Sequence, residues 1–247
     1  MEQKEIIVKS TLDGSLEPSL FYSSKAEDRP LIVGLHTWSY DRFNQINNML
    51  PLAEKYDFNL LLPNCRGANI KYNPQCKKAC GSKYVIQDIK DAIDYCFENF
   101  KVYKKSVFLL GASASGQTAL LTAAKYTTLF LCVGAFVPIC DLAKWSAVGY
   151  EKHVNACCEN DHEKQLRSPI NYLDELAKAN IKIFHGKYDN VVPCAQSIEL
   201  YMKLIEKHPK AKTYLDIFDA GHNMDMMLAE HWIISQYQRI NIAKVTG

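Results

Sequence analysis

The 247-residue chain carries almost no net charge: 29 Lys and Arg stand against 27 Asp and Glu, a formal +2. That balance leaves no basic face for a nucleic acid or an anionic membrane surface. No apolar run approaches the roughly twenty residues that span a bilayer. The first residues, Met1-Glu2-Gln3-Lys4-Glu5, are charged and lead into no apolar segment of secretory type. If this is the native start, a cytoplasmic protein is expected. Internal repeats and low-complexity linkers are also missing. The nine cysteines are odd in number and irregular in spacing, which fits free thiols in a reducing compartment better than a disulfide framework. Were a disulfide present, Cys76 with Cys80 or with Cys65 would be the expected pairing. Cys76-x-x-x-Cys80 and Cys157-Cys158, with His153 and His162 nearby, lack zinc-site spacing. No metal and no cofactor is therefore expected.

What the chain does have is 48% hydrophobic residues, enough for one domain with a large core. Short apolar runs of four to nine residues recur, at Leu31–Leu35, Asn59–Leu62, Val107–Leu110, Leu131–Ile139 and Ile181–Phe184, with a further strand at Thr213–Phe218. Helical spacing fills the intervals: Asn44–Tyr56, broken or kinked at Pro51, then Tyr84–Phe100, Gln117–Tyr126, Pro169–Ala179, Cys194–Glu206 and about Met224–Ile240. Glu5–Lys9 and Ser19–Ser23 read as two strands joined by Asp13-Gly14. Alternating buried strands and helices predict a doubly wound, mostly parallel sheet of about eight strands with helices on both faces. Residues 1–247 read as a single domain in which 141–168 is a cap or excursion. Asp88, Asp91 and Asp94, off the apolar stripe of their helix, read as a solvated face.

The segment Ser106–Thr118, S-V-F-L-L-G-A-S-A-S-G-Q-T, runs from strand through a turn of small residues into a helix. That context places the Ser113 hydroxyl on a sharp turn at a helix N-terminus, where free N–H groups and the helix dipole favour a developing oxyanion. Ser115 stands where such turns usually have Gly. Asp189 follows the strand Ile181–Phe184, and His222 follows Thr213–Phe218. In an open parallel sheet, sites gather at strand carboxyl ends. The chain order Ser113, Asp189, His222 is that of α/β-hydrolases. Serine needs a histidine base, and the histidine needs a carboxylate to fix its tautomer. His185 is a rival base, though Gly186 directly after it suggests a turn at the strand end.

Gly111–Leu120 (G-A-S-A-S-G-Q-T-A-L), His185–Pro193 (H-G-K-Y-D-N-V-V-P) and Ala220–His222 (A-G-H) resemble the three catalytic segments of the α/β-hydrolase superfamily. More narrowly, the chain resembles the catalytic domain of prolyl oligopeptidase family serine hydrolases and their small single-domain esterase-like relatives. Gly34–Ser39, Asn64–Asn69, Ala79–Tyr95, Val137–Trp145 and Arg167–Leu173 share in the likeness, which spans roughly residues 30–240. It implies Ser113 as nucleophile, His222 as general base then acid, and Asp189 as orienting carboxylate. It implies an oxyanion hole from the backbone N–H of Ala114 and of Trp38, with Thr37 the alternative second donor. Trp38, Tyr40 and Trp145, with Tyr150 and Met224, are candidates for the substrate pocket. Arg66 either binds a substrate carboxylate or pins its own loop, the second being favoured. Large members of the family add a propeller domain, for which this length leaves no room. The expected substrates are therefore small esters or short peptides, with a non-enzymatic scaffold as the remaining alternative.

Overall fold

Eight strands form one sheet in the order β1-β2-β4-β3-β5-β6-β7-β8. They are β1 Glu2–Lys9, β2 Leu16–Ser23, β3 Arg29–Gly34, β4 Asn59–Pro63, β5 Val102–Ala112, β6 Cys132–Phe136, β7 Ile181–Gly186 and β8 Thr213–Phe218. The structure is a computed structural model describing residues 1–246, with side chains described for residues 1–240. β1 and β2 pair antiparallel, as do β2 and β4. Every other pair is parallel. The hairpin of β1 and β2 turns through Gly14, whose φ of 75° lies where a side chain is strained.

The continuous apolar runs follow from coverage on both faces. In β5, Val107 and Leu109 point to one side, into a core shared with Val85, Ile89 and Ile93 of α2 (Lys83–Asn99), Leu120 of α3 (Ala114–Lys125), and, further along the sheet, Leu200 and Leu204 of the helix Ala195–Lys207. Phe108 and Leu110 point to the other, toward Met49 and Leu52 of α1 (Ile46–Tyr56) and Trp232 and Ile233 of the helix Met226–Thr246. The doubly wound, mostly parallel sheet is thus as the sequence predicts. Among the described residues no helix is long and apolar enough to cross a membrane.

Over the carboxyl ends of β3, β5 and β6 lies a third cluster that includes Ile139, Leu142, Trp145, Val154, Cys157 and Val192. Residues 141–168 supply half of it, mainly from α4 (Leu142–Trp145) and α5 (Glu151–Cys157), while α6 (Asp161–Leu166) buries none of its residues. A kink at Gly149, φ 107°, separates α4 from α5. Cys157 of α5 is disulfide-bonded to Cys76, with Cα atoms 5.0 Å apart. The expectation of nine free thiols is corrected there, as is the pairing: Cys76 is bonded to neither Cys80 nor Cys65. Folding brings together loops that are 81 residues apart, which local spacing does not reveal. Cys80 and Cys158 lie beside them as buried thiols.

Two other expectations change. Asp88 and Asp91 are buried rather than solvated: Asp88 pairs with Arg66, and Asp91 accepts from the backbone and hydroxyl of Thr11. Only Asp94, paired with the neighbouring Lys90, sits half in solvent. The helix expected over Pro169–Ala179 is a single turn, Pro169–Asn171, followed by α7 (Leu173–Leu176). Tyr172, at φ −122° and ψ 40°, leaves the helical region between the two and breaks the helix there. The helices Ala195–Lys207 and Met226–Thr246 are α8 and α9.

Candidate active site

β5 ends one residue before Ser113, whose φ of 58° and ψ of −123° mark a strained turn into α3. Small neighbours make the turn possible. A Cβ on Gly111 would lie 2.2 Å from the Ser115 carbonyl oxygen. Ser115 fits in place of glycine because its hydroxyl is used internally. It accepts from the Ala112 amide at 2.9 Å, and its proton reaches the carbonyls of Ala112 at 2.8 Å or Leu35 at 3.1 Å. The departure from Gly thus adds a tie between the turn and the end of β3. Ser113 donates its own amide to the Phe136 carbonyl, while its hydroxyl makes no hydrogen bond among the described residues and lines a cavity of about 470 Å³.

The loop after β7 carries Asp189, whose carboxylate is fully enclosed. One oxygen, Oδ1, accepts the amides of Val191 and Val192 at 2.8 and 2.9 Å. The other lies 2.7 Å from Nδ1 of His222, on the loop after β8. Burial would raise the carboxyl's pKa, but hydrogen bonds from His185, His222 and the two amides outweigh it and hold it well below the usual carboxylate range. Asp189 is therefore an anion at neutral pH. His222 borders the same cavity as Ser113.

His185, the rival base, is wholly buried. Its Nδ1 lies 2.7 Å from Ser197 Oγ, and its Nε2 lies 2.9 Å from the Val192 carbonyl and 3.3 Å from Asp189 Oδ2. It braces the Asp189 loop and does not border the cavity.

At the end of β3, the Thr37 amide is taken by Asn44 Oδ1 at 3.0 Å. No hydrogen bond among the described residues uses the amides of Trp38 or Ala114. The Trp38 carbonyl accepts from Asn69 at 2.7 Å, and His36, buried, sets its ring nitrogens 2.7 Å from the Asn64 carbonyl and 3.0 Å from that of Thr37. Burial pushes the His36 pKa down.

The cavity wall includes Trp38, Tyr40, Trp145, Tyr150 and Met224. Arg66 is elsewhere. Its guanidinium is closed off from solvent, bonded to Asp88, Asp13, Ser10 and Gln75 and within 3.2 Å of Glu17. No donor remains for a substrate, and its partners are side chains rather than loop carbonyls. Sequence reasoning passed over Asn44, Gln45, Asn48, His153 and Asn223, which also line the cavity. Only the position of Asn44 just after the β3 loop hinted at this. A larger groove, about 680 Å³, between α2, α3 and α6 borders neither Ser113 nor His222.

This is the sheet and loop arrangement of an α/β-hydrolase. The model of the prolyl oligopeptidase family (Peptidase_S9) matches residues 44–241; the chain belongs to that family. No curated protein matches the sequence. Similar solved structures include the Pyrococcus horikoshii acylaminoacyl peptidase, at 22% identity and a TM-score of 0.72, covering 90% of this chain and 38% of that one. The chain thus spans about two fifths of that peptidase's length. An esterase from Pyrococcus furiosus is 16% identical with a TM-score of 0.74, over 96% of this chain and 91% of the esterase. The S-formylglutathione hydrolase of Staphylococcus aureus is 15% identical with a TM-score of 0.67, over 94% and 93%.

Proposed function

We propose that the chain hydrolyses carboxylic esters of small substrates, with Ser113 as nucleophile, His222 as base and acid, and Asp189 as the carboxylate that orients His222. The observation that carries this is the 2.7 Å bond between Asp189 and His222 Nδ1, on the rim of the cavity that the strained Ser113 enters. With Nδ1–H donating to Asp189, Nε2 is left to accept. Ser113 Oγ attacks the ester carbonyl carbon as its proton passes to His222 Nε2, giving a tetrahedral oxyanion. The unused amides of Trp38 and Ala114 are the proposed donors to that oxygen. The intermediate collapses to an acyl-serine, and the alcohol leaves with the proton from His222. Water then repeats the sequence, transferring a proton to His222 and releasing the acid and free Ser113.

Near full-length coverage of the Pyrococcus esterase supports the ester over the amide. Hydrolysis of short peptides is the second reading, favoured by the family model itself. The proposal also treats the chain as one domain, with residues 141–168 as a cap over the site. A cytoplasmic setting belongs to it as well, resting on the seven cysteines that remain thiols, with the Cys76–Cys157 bond as the observation against it.

A fluorophosphonate probe tests the nucleophile. Ser113→Ala is expected to lose labelling and to lower ester turnover on the order of a millionfold, with an unchanged circular dichroism spectrum. Labelling that survives the substitution, or moves to Ser115, refutes the assignment.

A further inference from the structure

The cavity at Ser113 has two unlike sides and no formal charge. One side is an aromatic wall. The Trp38 and Trp145 rings are 5.1 Å apart, Trp145 stacks on Tyr150 at 4.3 Å with planes 12° apart, and His153 follows at 5.9 Å. Trp145 is fixed in this wall by the bond from its Nε1 to the Val191 carbonyl at 2.9 Å. The other part of the lining is polar: Asn44, Gln45 and Asn48 supply carboxamides, tied to one another by bonds of 3.1 and 2.9 Å. Among the described lining residues there is no Asp, Glu, Lys or Arg.

From this we infer that the site selects esters whose acyl half is a planar, uncharged aromatic acid. The inference rests on the serine esterase reading above. An α-ammonium entering the cavity would shed water with no carboxylate to receive it, and a second carboxylate would find no cation. Free amino acid esters and peptides with an unblocked terminal residue are thereby disfavoured. A flat ring, in contrast, gains π surface against the Tyr150 end of the wall beyond what its area alone supplies. The carboxamides are able to bond neutral hydroxyl or ether substituents on such a ring without imposing a charge. The volume, about 470 Å³, suits an acid of one ring rather than a long chain or a polycycle.

The test uses p-nitrophenyl esters, which share one leaving group. Cinnamate supplies the planar acyl group, 3-cyclohexylpropanoate the same bulk without planarity, phenylalaninate the α-ammonium, and acetate a reference. The expected kcat/KM is about tenfold higher for cinnamate than for the cyclohexyl ester, and about a hundredfold higher than for phenylalaninate. Tyr150→Leu is expected to bring the cinnamate-to-cyclohexyl ratio near one, and Tyr150→Phe to keep it. Equal rates for the first two esters, a preference for phenylalaninate, or an unchanged ratio in a folded Tyr150→Leu variant overturns the inference. Failure to turn over any ester, acetate included, refutes the esterase reading instead. In that event tryptophan fluorescence of Ser113→Ala, titrated with cinnamamide and with 3-cyclohexylpropanamide, still decides the pocket's preference. Saturable quenching by the first alone supports it, and equal or absent quenching overturns it.

Discussion

Gly186 closes β7, three residues before Asp189, and the loop bearing His222 lies directly against it. A Cβ there would stand 2.0 Å from the Gly221 carbonyl oxygen and 2.6 Å from that of Ala220. Both obstacles are backbone, so neither yields by a change of rotamer. Ordinary contact begins at 3.4 Å, and Gly186→Ala therefore drives the two loops apart by about 1.4 Å. A movement of that size along the Asp189–His222 bond, 2.7 Å in the parent, opens it to about 4 Å, beyond hydrogen bonding. A misplacement of about 1 Å costs on the order of a hundredfold in rate, and complete loss of the correct tautomer about 10⁴-fold. The expected fall in kcat/KM for p-nitrophenyl acetate lies between those values. Gly34→Ala is the contrast. Its Cβ would meet the Met49 sulfur at 2.1 Å and Leu62 Cδ2 at 2.8 Å, side-chain atoms deep in the core. That substitution is expected to cost about 1–3 kcal/mol of stability while retaining most activity. Initial rates and thermal melts on the two variants separate the effects. A folded Gly186→Ala enzyme within threefold of the parent would refute the coupling of these loops, and with it the part assigned to His222.

Two further predictions concern charge. Asp88→Asn removes a partner of the enclosed Arg66 guanidinium and leaves a buried charge less compensated, so stability should fall by about 3–5 kcal/mol. A lower urea midpoint at constant slope would show this, and an unmoved midpoint would mean that the remaining acids hold Arg66 unaided. Asp13 and Asp189 both titrate lower in the folded chain than an ordinary carboxyl, Asp13 through Arg66 and Lys78 and Asp189 through the bonds that outweigh its burial. Because the unfolded chain takes up protons first, the stability they supply is complete above about pH 5 and is lost progressively as pH falls below it. Melting temperature measured from pH 7 to pH 3 should drop along that limb, less steeply in Asp189→Asn. A flat profile would contradict the bonds described for both carboxylates.

The sheet was legible in the sequence because burial on both faces turns each central strand into an unbroken apolar run, as in Val107–Leu110 and Asn59–Leu62. The loops bearing Ser113 and Asp189 were legible because each follows a strand of apolar residues, that of His222 because it follows the edge strand Thr213–Phe218, and chain order supplies the rest. Charge did not reveal its own placement. Asp88 and Asp91 occupy polar positions of an amphipathic helix, and only Arg66, 22 residues away from Asp88, and Thr11, 80 residues away from Asp91, show why they are buried. Arg66 looked like a site residue for a related reason: its cage is assembled from Asp13, Glu17 and Asp88, which nothing local connects. The resemblance already set Trp38 before Thr37 at the proposed oxyanion hole, but the physical reason, that Asn44 holds the Thr37 amide, is a contact the local sequence does not display.

The bond between Cys76 and Cys157 closes the middle of the chain into a covalent ring. Inside it run α2, β5, the turn at Ser113, α3 and β6; outside it lie the loops of Asp189 and His222. The proposed nucleophile thus belongs to a macrocycle, and its base and orienting acid to a tail joined through ordinary backbone and the pairing of β6 with β7. A single peptide cut within the ring leaves one molecule still threaded end to end. The same cut between Cys157 and Asp189 divides the active centre between two polypeptides, held together only by non-covalent contacts such as the β6–β7 pairing and the bond from Trp145 to Val191.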